Sequence, residues 1–180
     1  MVKLYNKSVG VLGGSFDPVH KGHLIISKIA LKKIKLNKIY WIITKKNPLK
    51  NKAHFSLEKR LKLAKKVSKN QKKIEVLYLD KIVKSSRSIN IINYLFKKKK
   101  LSNIHFIIGS DILIGLHKWK SWKKIVKLIK LVVFNRKGYD RKSKNSIVAK
   151  YLKNKNIIYI KNKPIKISST ILRNKLKKIS

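Results

Sequence analysis

The chain has 180 residues, a length typical of one domain with a sizeable hydrophobic core. It contains no cysteine, which excludes disulfides and thiolate metal sites, and it has no apolar run near the roughly 18 residues of a membrane span. The formal net charge is +42, from 48 basic and six acidic residues.

The basic residues are mostly lysine. There are 43 Lys and five Arg, and the Lys are spread over the chain among abundant Ile and Asn. These three residues share codons rich in A and T, so base-composition drift explains the charge better than a polyanion-binding surface, which more often uses Arg. We therefore expect no specific nucleic-acid partner.

The first residues lead directly into a strand-like segment, without the apolar stretch and cleavage site of a secretory signal. We therefore expect a single domain over residues 1–180 that is cytoplasmic and binds no membrane. The sequence does not specify an oligomeric state.

Six short apolar runs predict strands, at residues 9–12, 39–43, 74–79, 104–108, 131–134 and 157–160. Stretches with helical spacing lie between or after most of them, at residues 24–34, 57–67, 89–96, 122–129 and 171–179. This alternation predicts an α/β protein with a Rossmann-like, doubly wound parallel sheet. Residues 138–145 are the best candidate for a mobile loop.

The motif GGSFDPVHKGHL, which begins at Gly13, follows the first predicted strand. Gly13 and Gly14 lack the Cβ atoms that would keep a phosphate from the backbone, and a helix starting near His20 points its free N–H groups at the same spot. His20 and His23 share one face of the first turn, with Gly22 between them to admit a ligand. The motif is neither a dinucleotide fingerprint nor a Walker loop. A zinc site would need a third ligand, and this chain has no cysteine and only six acidic residues. We therefore favour phosphate binding.

Two of the acidic residues are candidates for a ligand site. Asp17 and Asp111 each lie in a glycine-containing turn after an apolar strand, where α/β folds bind their ligands. The others are expected to be structural or on the surface: Glu58, Glu75, Asp80 and Asp140.

GGSFDPVHKGHL resembles the first signature of the nucleotidyltransferases that carry an H-x-G-H or T-x-G-H motif, and ISSTILR, residues 167–173, resembles their second. NPLK at residues 47–50, FIIGSD at 106–111 and HKWKSW at 117–122 resemble one branch, the nicotinate-nucleotide adenylyltransferases. The resemblance runs from about residue 8 to residue 173 and implies the nucleotidyltransferase type of fold. It also implies that nicotinate mononucleotide attacks the α-phosphorus of ATP, giving deamido-NAD and pyrophosphate in NAD biosynthesis, with Mg²⁺ accompanying ATP.

The resemblance also implies residue roles. The residues expected to act on the phosphates in catalysis are His20, His23 and Arg173. Those expected to bind ATP are Gly13, Gly14, Ser15, Phe16, His20, Gly22, His23, Asp111, Ser168, Ser169, Thr170 and Arg173. Those expected to bind the mononucleotide are Lys50, Ser88, Trp119 and Arg136. Trp119 would stack on the pyridine ring, whereas Trp122 is expected in the core. No general base is expected, because the attacking phosphate is already anionic at pH 7, its second pKa being about 6.

One position departs from the family pattern. Where the family has Tyr-Thr followed by Asp two residues after the Thr, this chain has Arg87, Ser88 and Asn90. Ser88 keeps a hydroxyl and a backbone N–H for the pyridine carboxylate, while Arg87 adds charge. The amide mononucleotide therefore stays an alternative substrate.

Two further alternatives concern the reaction. Phosphopantetheine adenylyltransferases share the first signature, but they typically have Thr in place of His20 and lack the HKW sequence. A basic RNA-binding domain should show the aromatic-rich strands of an RRM or a G-x-x-G helix pair, and neither is present.

Overall fold

The fold is built on six strands. The computed structural model describes residues 8–45, 53–163, 165 and 167–177. The strands are β1 (Ser8–Gly14), β2 (Lys38–Ile43), β3 (Ile74–Leu77), β4 (Asn103–Gly109), β5 (Lys130–Phe134) and β6 (Ile157–Ile160). They form one parallel sheet in the order β3-β2-β1-β4-β5-β6. All six predicted strands are confirmed, with ends shifted by at most two residues.

The helices cover both faces of this sheet. They are α1 (Lys21–Lys33), α2 (Leu57–Ser68), α3 (Asp80–Val83), α4 (Ser88–Lys97), α5 (Ser110–Gly115), α6 (Trp122–Leu128), α7 (Asp140–Lys144), α8 (Ile147–Tyr151) and α9 (Ser169–Lys177), with a 3-10 turn at Leu116–Lys118. Ala30 of α1 and Ala64 of α2 belong to one core, whereas Leu95 of α4 and Val126 of α6 belong to the other. The predicted doubly wound architecture is confirmed.

The strands read as continuous apolar runs because each is buried on both sides. Successive side chains point to opposite faces. Phe106 and Ile108 of β4 lie in the core under α4 and α6, and Ile107 between them lies in the core under α1 and α2.

The loop predicted at residues 138–145 is wrong in part, because it contains α7. The Asp140 carboxylate accepts the Arg136 N–H at 3.1 Å, and the Ser143 hydroxyl donates to the Asp140 carbonyl at 2.7 Å. Five residues give too little periodicity to identify such a helix from sequence.

The strand order places a topological switch point between β1 and β4. From β1 the chain moves outward to β2 and β3, then returns to β4 and continues to β5 and β6 on the other side. In sheets of this kind, ligands bind at the carboxyl ends of the two strands where the order reverses. Over the described residues, no helix has the length and apolar character needed to cross a membrane.

Candidate active site

A large cleft lies at this switch point. Its volume is about 990 Å³, and its lining includes the carboxyl ends of β1 and β4 and the first residues of α4 and α9. Ligand pockets commonly have volumes of roughly 300–1,000 Å³, so this cleft lies at the upper end of that range. We call the part lined by His20, His23 and residues 168–170 the histidine side, and the part lined by Ser88 and Trp119 the tryptophan side.

The two histidines cap the start of α1. His20 is the N-cap residue, and its Nδ1 accepts the Gly22 N–H at 3.1 Å. The Nδ1 of His23 accepts the His20 N–H at 3.2 Å, so the two rings complete a reciprocal capping box with centroids 3.9 Å apart. Since both Nδ1 atoms act as acceptors, this network assigns the proton of each neutral ring to Nε2. Each imidazole therefore keeps an Nε2–H donor.

The same environment keeps both rings neutral. The pKa of His20 is lowered to about 4, mainly by burial and to a smaller extent by the positive charge of Arg136. Burial lowers the pKa of His23 to about 3, with a smaller contribution from His20. At pH 7 both histidines are therefore neutral hydrogen-bond donors.

The structure adds a steric reason for glycine at position 22. A Cβ on Gly22 would lie 2.7 Å from His20 Nδ1 and 3.1 Å from a methyl group of Ile165. The imidazole cap is therefore one reason for glycine at this position. Gly22 also lines the cleft, and its predicted role in admitting a ligand stays a prediction. At Gly13 and Gly14, by contrast, a Cβ would meet only Phe106 or Phe16 at ordinary contact distances of 3.6–4.0 Å. The protein leaves that space open at the cleft.

The C-terminal signature lies against the first one. Ser168 caps α9 by accepting the Ile171 N–H at 3.2 Å, and the Ser169 hydroxyl donates to the carbonyl of Pro18 at 2.9 Å. Arg173 donates to the carbonyl of Asp17 at 2.6 Å. Two segments about 150 residues apart thus meet at the histidine side. Residues 168–170 line the cleft, whereas Arg173 lies behind the loop.

The two acidic candidates have different surroundings. The Asp17 carboxylate is buried and accepts the N–H groups of His54 at 2.7 Å and Phe55 at 2.9 Å, so it is a structural residue and not a ligand group. Asp111 lines the cleft and pairs with Arg136 at 2.5 Å, while its Oδ1 has no partner among the described residues.

Arg136, a predicted mononucleotide-binding residue, lines the cleft. It pairs with Asp111 and is near enough to His20 to lower the pKa of that ring. The structure thus places it beside predicted ATP-binding residues, and its role towards the mononucleotide stays a prediction.

The tryptophan side is formed by α4 and by the segment after the 3-10 turn. Trp119 is half-buried, with its ring edge-to-face against Phe106 at a centroid distance of 6.1 Å. Trp122 is also half-buried, but it packs against Tyr151 at 5.0 Å and does not line the cleft.

Ser88 is the first residue of α4. The N-cap residue Arg87 makes no side-chain cap, so the first N–H groups of α4 keep their capacity to bind a ligand. Lys50, the remaining predicted substrate residue, lies outside the described residues.

Phe16 lines the cleft, but its ring is buried and packs on two aromatic neighbours. It stacks on His23 at a centroid distance of 4.6 Å and lies 5.5 Å from Trp41. Sequence reasoning missed Arg60, a buried residue that donates to the Ser15 carbonyl at 2.7 Å. The scarcity of Arg in a lysine-rich chain was the signal that could have found it.

Comparison with known proteins agrees with this geometry. The cytidylyltransferase-like family matches residues 11–175. A probable nicotinate-nucleotide adenylyltransferase of Pelagibacter ubique is 46% identical over 165 residues, which are 92% of this chain and 91% of the relative. The chain belongs to the nicotinate-nucleotide adenylyltransferases, within the cytidylyltransferase-like family.

Further similarities support this family membership. A probable nicotinate-nucleotide adenylyltransferase of Clostridium novyi is 37% identical over 177 residues, covering 95% of this chain and 88% of the relative. The fold is similar to that of a Plasmodium falciparum nicotinic acid mononucleotide adenylyltransferase solved with NaAD, with a TM-score of 0.76 and 18% identity over 93% of this chain and 83% of that one. The predicted family, fold and enzyme class are confirmed: this nicotinate-nucleotide adenylyltransferase family member is a nucleotidyltransferase of NAD biosynthesis.

Proposed function

We propose that the cleft binds ATP and nicotinate mononucleotide together and joins them. The chain transfers the adenylyl group of ATP to the mononucleotide, forming nicotinate adenine dinucleotide and releasing pyrophosphate. One observation carries this proposal. The two neutral, capped histidines, the N-terminus of α9 and Trp119 all line the same cleft. One cleft thus offers donors for phosphates and an aromatic face for a ring.

At the histidine side, the chain supplies positioning and charge stabilisation. A phosphate oxygen of the mononucleotide forms a bond to the α-phosphorus of ATP, and the bond from that phosphorus to the bridging oxygen breaks. The Nε2–H groups of His20 and His23 and the N-terminus of α9 donate hydrogen bonds to the phosphate oxygens that gain negative charge. Because the attacking phosphate is already ionised, the reaction needs no general base.

The surrounding residues complete the ATP side. The backbone of Gly13, Gly14, Ser15 and Phe16 approaches the phosphates where side chains are small or turned away. Asp111 supplies an acceptor whose Oδ1 is otherwise unpartnered. Arg173 adds positive charge behind the phosphate loop.

At the tryptophan side, Trp119 stacks on the pyridine ring. The pyridine carboxylate lies at the N-terminus of α4, where free N–H groups, the Ser88 hydroxyl and the positive charge of Arg87 favour an anion over a neutral amide. Arg136 and Lys50 are our candidates for the phosphate of the mononucleotide.

Mg²⁺ is part of this proposal as a component of the ATP substrate. The described residues contain no group of three His, Cys, Asp or Glu side chains that could hold a metal ion. Mg²⁺ is commonly held mainly by nucleotide phosphates and water, and Asp111, which lines the cleft, is a candidate acceptor for its water ligands. When bound, the ion would neutralise part of the negative charge of the ATP phosphates. We further propose that the enzyme works in the cytoplasm, without a membrane or a specific nucleic-acid partner.

The test is pyrophosphate release with ATP and Mg²⁺, measured in parallel with nicotinate mononucleotide, nicotinamide mononucleotide and phosphopantetheine. We expect the acid mononucleotide to give the highest kcat/KM. A preference for the amide would contradict the role of α4 and Arg87, and activity with phosphopantetheine alone would overturn the role of Trp119. Folded protein that is inactive with all three would refute the reaction, and full activity in the presence of EDTA would refute the requirement for Mg²⁺.

A further inference from the structure

Arg60 is buried although it carries a positive charge. It lies on α2 with 2% of its surface exposed. Its guanidinium donates to four backbone carbonyls: Nε to Phe55 at 3.1 Å, Nη1 to Ser15 at 2.7 Å and to Thr44 at 2.8 Å, and Nη2 to Lys45 at 3.1 Å. One side chain therefore joins the segments that follow β1 and β2 to the segment that precedes α2.

The charge of this guanidinium is balanced locally. Burial lowers the pKa of Arg60, while the carboxylates of Asp17 and Asp80 oppose that shift. The same two carboxylates accept backbone N–H groups from the segments that Arg60 binds. A buried charge is costly unless it is paired and hydrogen-bonded. Two of the six acidic residues in a chain with 48 basic ones stabilise this one buried cation.

The contact with Ser15 fixes a peptide at the histidine side. In a trans peptide the carbonyl and the following N–H point in opposite directions. Because the Ser15 carbonyl accepts from Arg60, the Phe16 N–H points away from Arg60, and no acceptor among the described residues takes it. Phe16 also has φ +47°, which is unfavourable for a residue with a side chain, so its neighbours must hold it in place.

We propose that Arg60 is a positioning residue for the triphosphate of ATP. It holds the Ser15–Phe16 peptide so that the Phe16 N–H is available to a phosphate oxygen, and it does not touch the substrate itself. The proposal rests on the proposed function in one respect, that ATP is the ligand of the histidine side. Lysine cannot replace Arg60, because its donors radiate from a single nitrogen and cannot span four carbonyls in the plane of a guanidinium.

The test compares Arg60→Lys with Arg141→Lys, the same change at an exposed arginine of α7. ATP affinity is measured by calorimetry, adenosine affinity by ligand-observed NMR, and the fold by thermal unfolding. We expect Arg60→Lys to weaken ATP binding at least about tenfold and adenosine binding less than about twofold, since adenosine has no phosphate to lose. Arg141→Lys should change neither. Unchanged ATP affinity in Arg60→Lys, or equal weakening of both ligands, would overturn the proposal.

A second measurement uses the wild-type protein, in case Arg60→Lys does not fold. In ¹⁵N-labelled protein, saturating ATP should shift the Phe16 amide resonance strongly, whereas adenosine should leave it in place. A Phe16 amide that does not respond to ATP would overturn the proposal. Both measurements report binding, so wild-type protein that binds ATP but releases no pyrophosphate would refute the proposed reaction and leave the role of Arg60 intact.

Discussion

The two sides of the cleft are built in different ways. On the histidine side, backbone groups and capped helix ends are held by hydrogen bonds from both ends of the described chain, such as those of His20, Ser169 and Arg173. On the tryptophan side, Trp119 has one aromatic contact in the cleft, and the side chain of Ser88 has no hydrogen-bond partner within the described residues. Phosphates are common to all nucleotides and can be bound by a fixed backbone. The choice of the substrate that accepts the adenylyl group depends on a few side chains of the tryptophan side. These side chains can be substituted without disturbing the backbone that binds the phosphates.

The largest effect is expected on the histidine side. His20→Ala should lower kcat by about a hundredfold, because it removes one preorganised donor to the phosphates. His23→Ala and Arg173→Ala should each cost at least about tenfold. Pyrophosphate release measures these losses.

His20→Asn is the matched control for the cap. Asn can still accept the Gly22 N–H, so it should restore most of the helix stability that Ala loses, about 1 kcal/mol, but not the turnover. Near wild-type turnover in folded His20→Ala would remove this residue from the mechanism.

A smaller and more selective effect is expected from Trp119. Trp119→Ala should raise the KM for nicotinate mononucleotide by about tenfold, because a stacking face is lost, and leave the KM for ATP within about twofold. Trp122→Ala is the control, since Trp122 packs on Tyr151 outside the cleft and should affect stability without affecting either KM. Equal changes in both KM values for Trp119→Ala would show that this residue is structural.

Ser88 should have a still smaller effect. Ser88→Ala removes one hydroxyl near the expected carboxylate, which should lower kcat/KM for the acid mononucleotide by roughly threefold to tenfold. The amide mononucleotide serves as the internal reference, and its kcat/KM should fall less. If the ratio of kcat/KM for the acid mononucleotide to that for the amide mononucleotide stays constant, the hydroxyl does not bind the carboxylate.

The lowered pKa values of His20 and His23 on the histidine side should make the stability of the protein depend on pH. The pKa of His20 is lowered to about 4 and that of His23 to about 3 in the folded protein. Between about pH 4 and the ordinary histidine pKa of about 6.5, the unfolded chain binds protons that the folded chain does not, so the free energy of unfolding rises with pH and levels off above this range. Urea unfolding at pH 5 and pH 7.5 measures the rise. The double variant His20→Asn, His23→Asn should show a smaller rise, and an unchanged rise would contradict these shifts.

The sheet and the longer helices were predictable because their apolar periodicity extends over several residues. The short helices α3, α5, α7 and α8 were not, since four to six residues do not complete two helical turns. At the site, the two signatures were readable as motifs, whereas the reason for Gly22 and the structural role of Asp17 depend on groups distant in sequence or on side-chain orientation. No local pattern shows where Ile165 or His54 will lie.

Four of the five arginines lie at the cleft or bind the loop after β1. Of the five, Arg87 and Arg136 line the cleft, while Arg60 and Arg173 bind carbonyls of the loop after β1. The exception is Arg141, which is exposed on α7. Where drift towards A+T-rich codons favours lysine, a position that keeps arginine is one where a planar, multidentate donor is needed.

The bonds from α9 to the loop after β1 have a consequence for how the enzyme is made. The sheet is complete at Ile160, before Ser169 and Arg173 have been synthesised. A nascent chain released early could therefore fold its sheet and still lack the second wall of its phosphate site. Products truncated before Ser169 would lack the bonds to the carbonyls of Pro18 and Asp17, so their turnover should be far below that of the full chain even where the sheet folds.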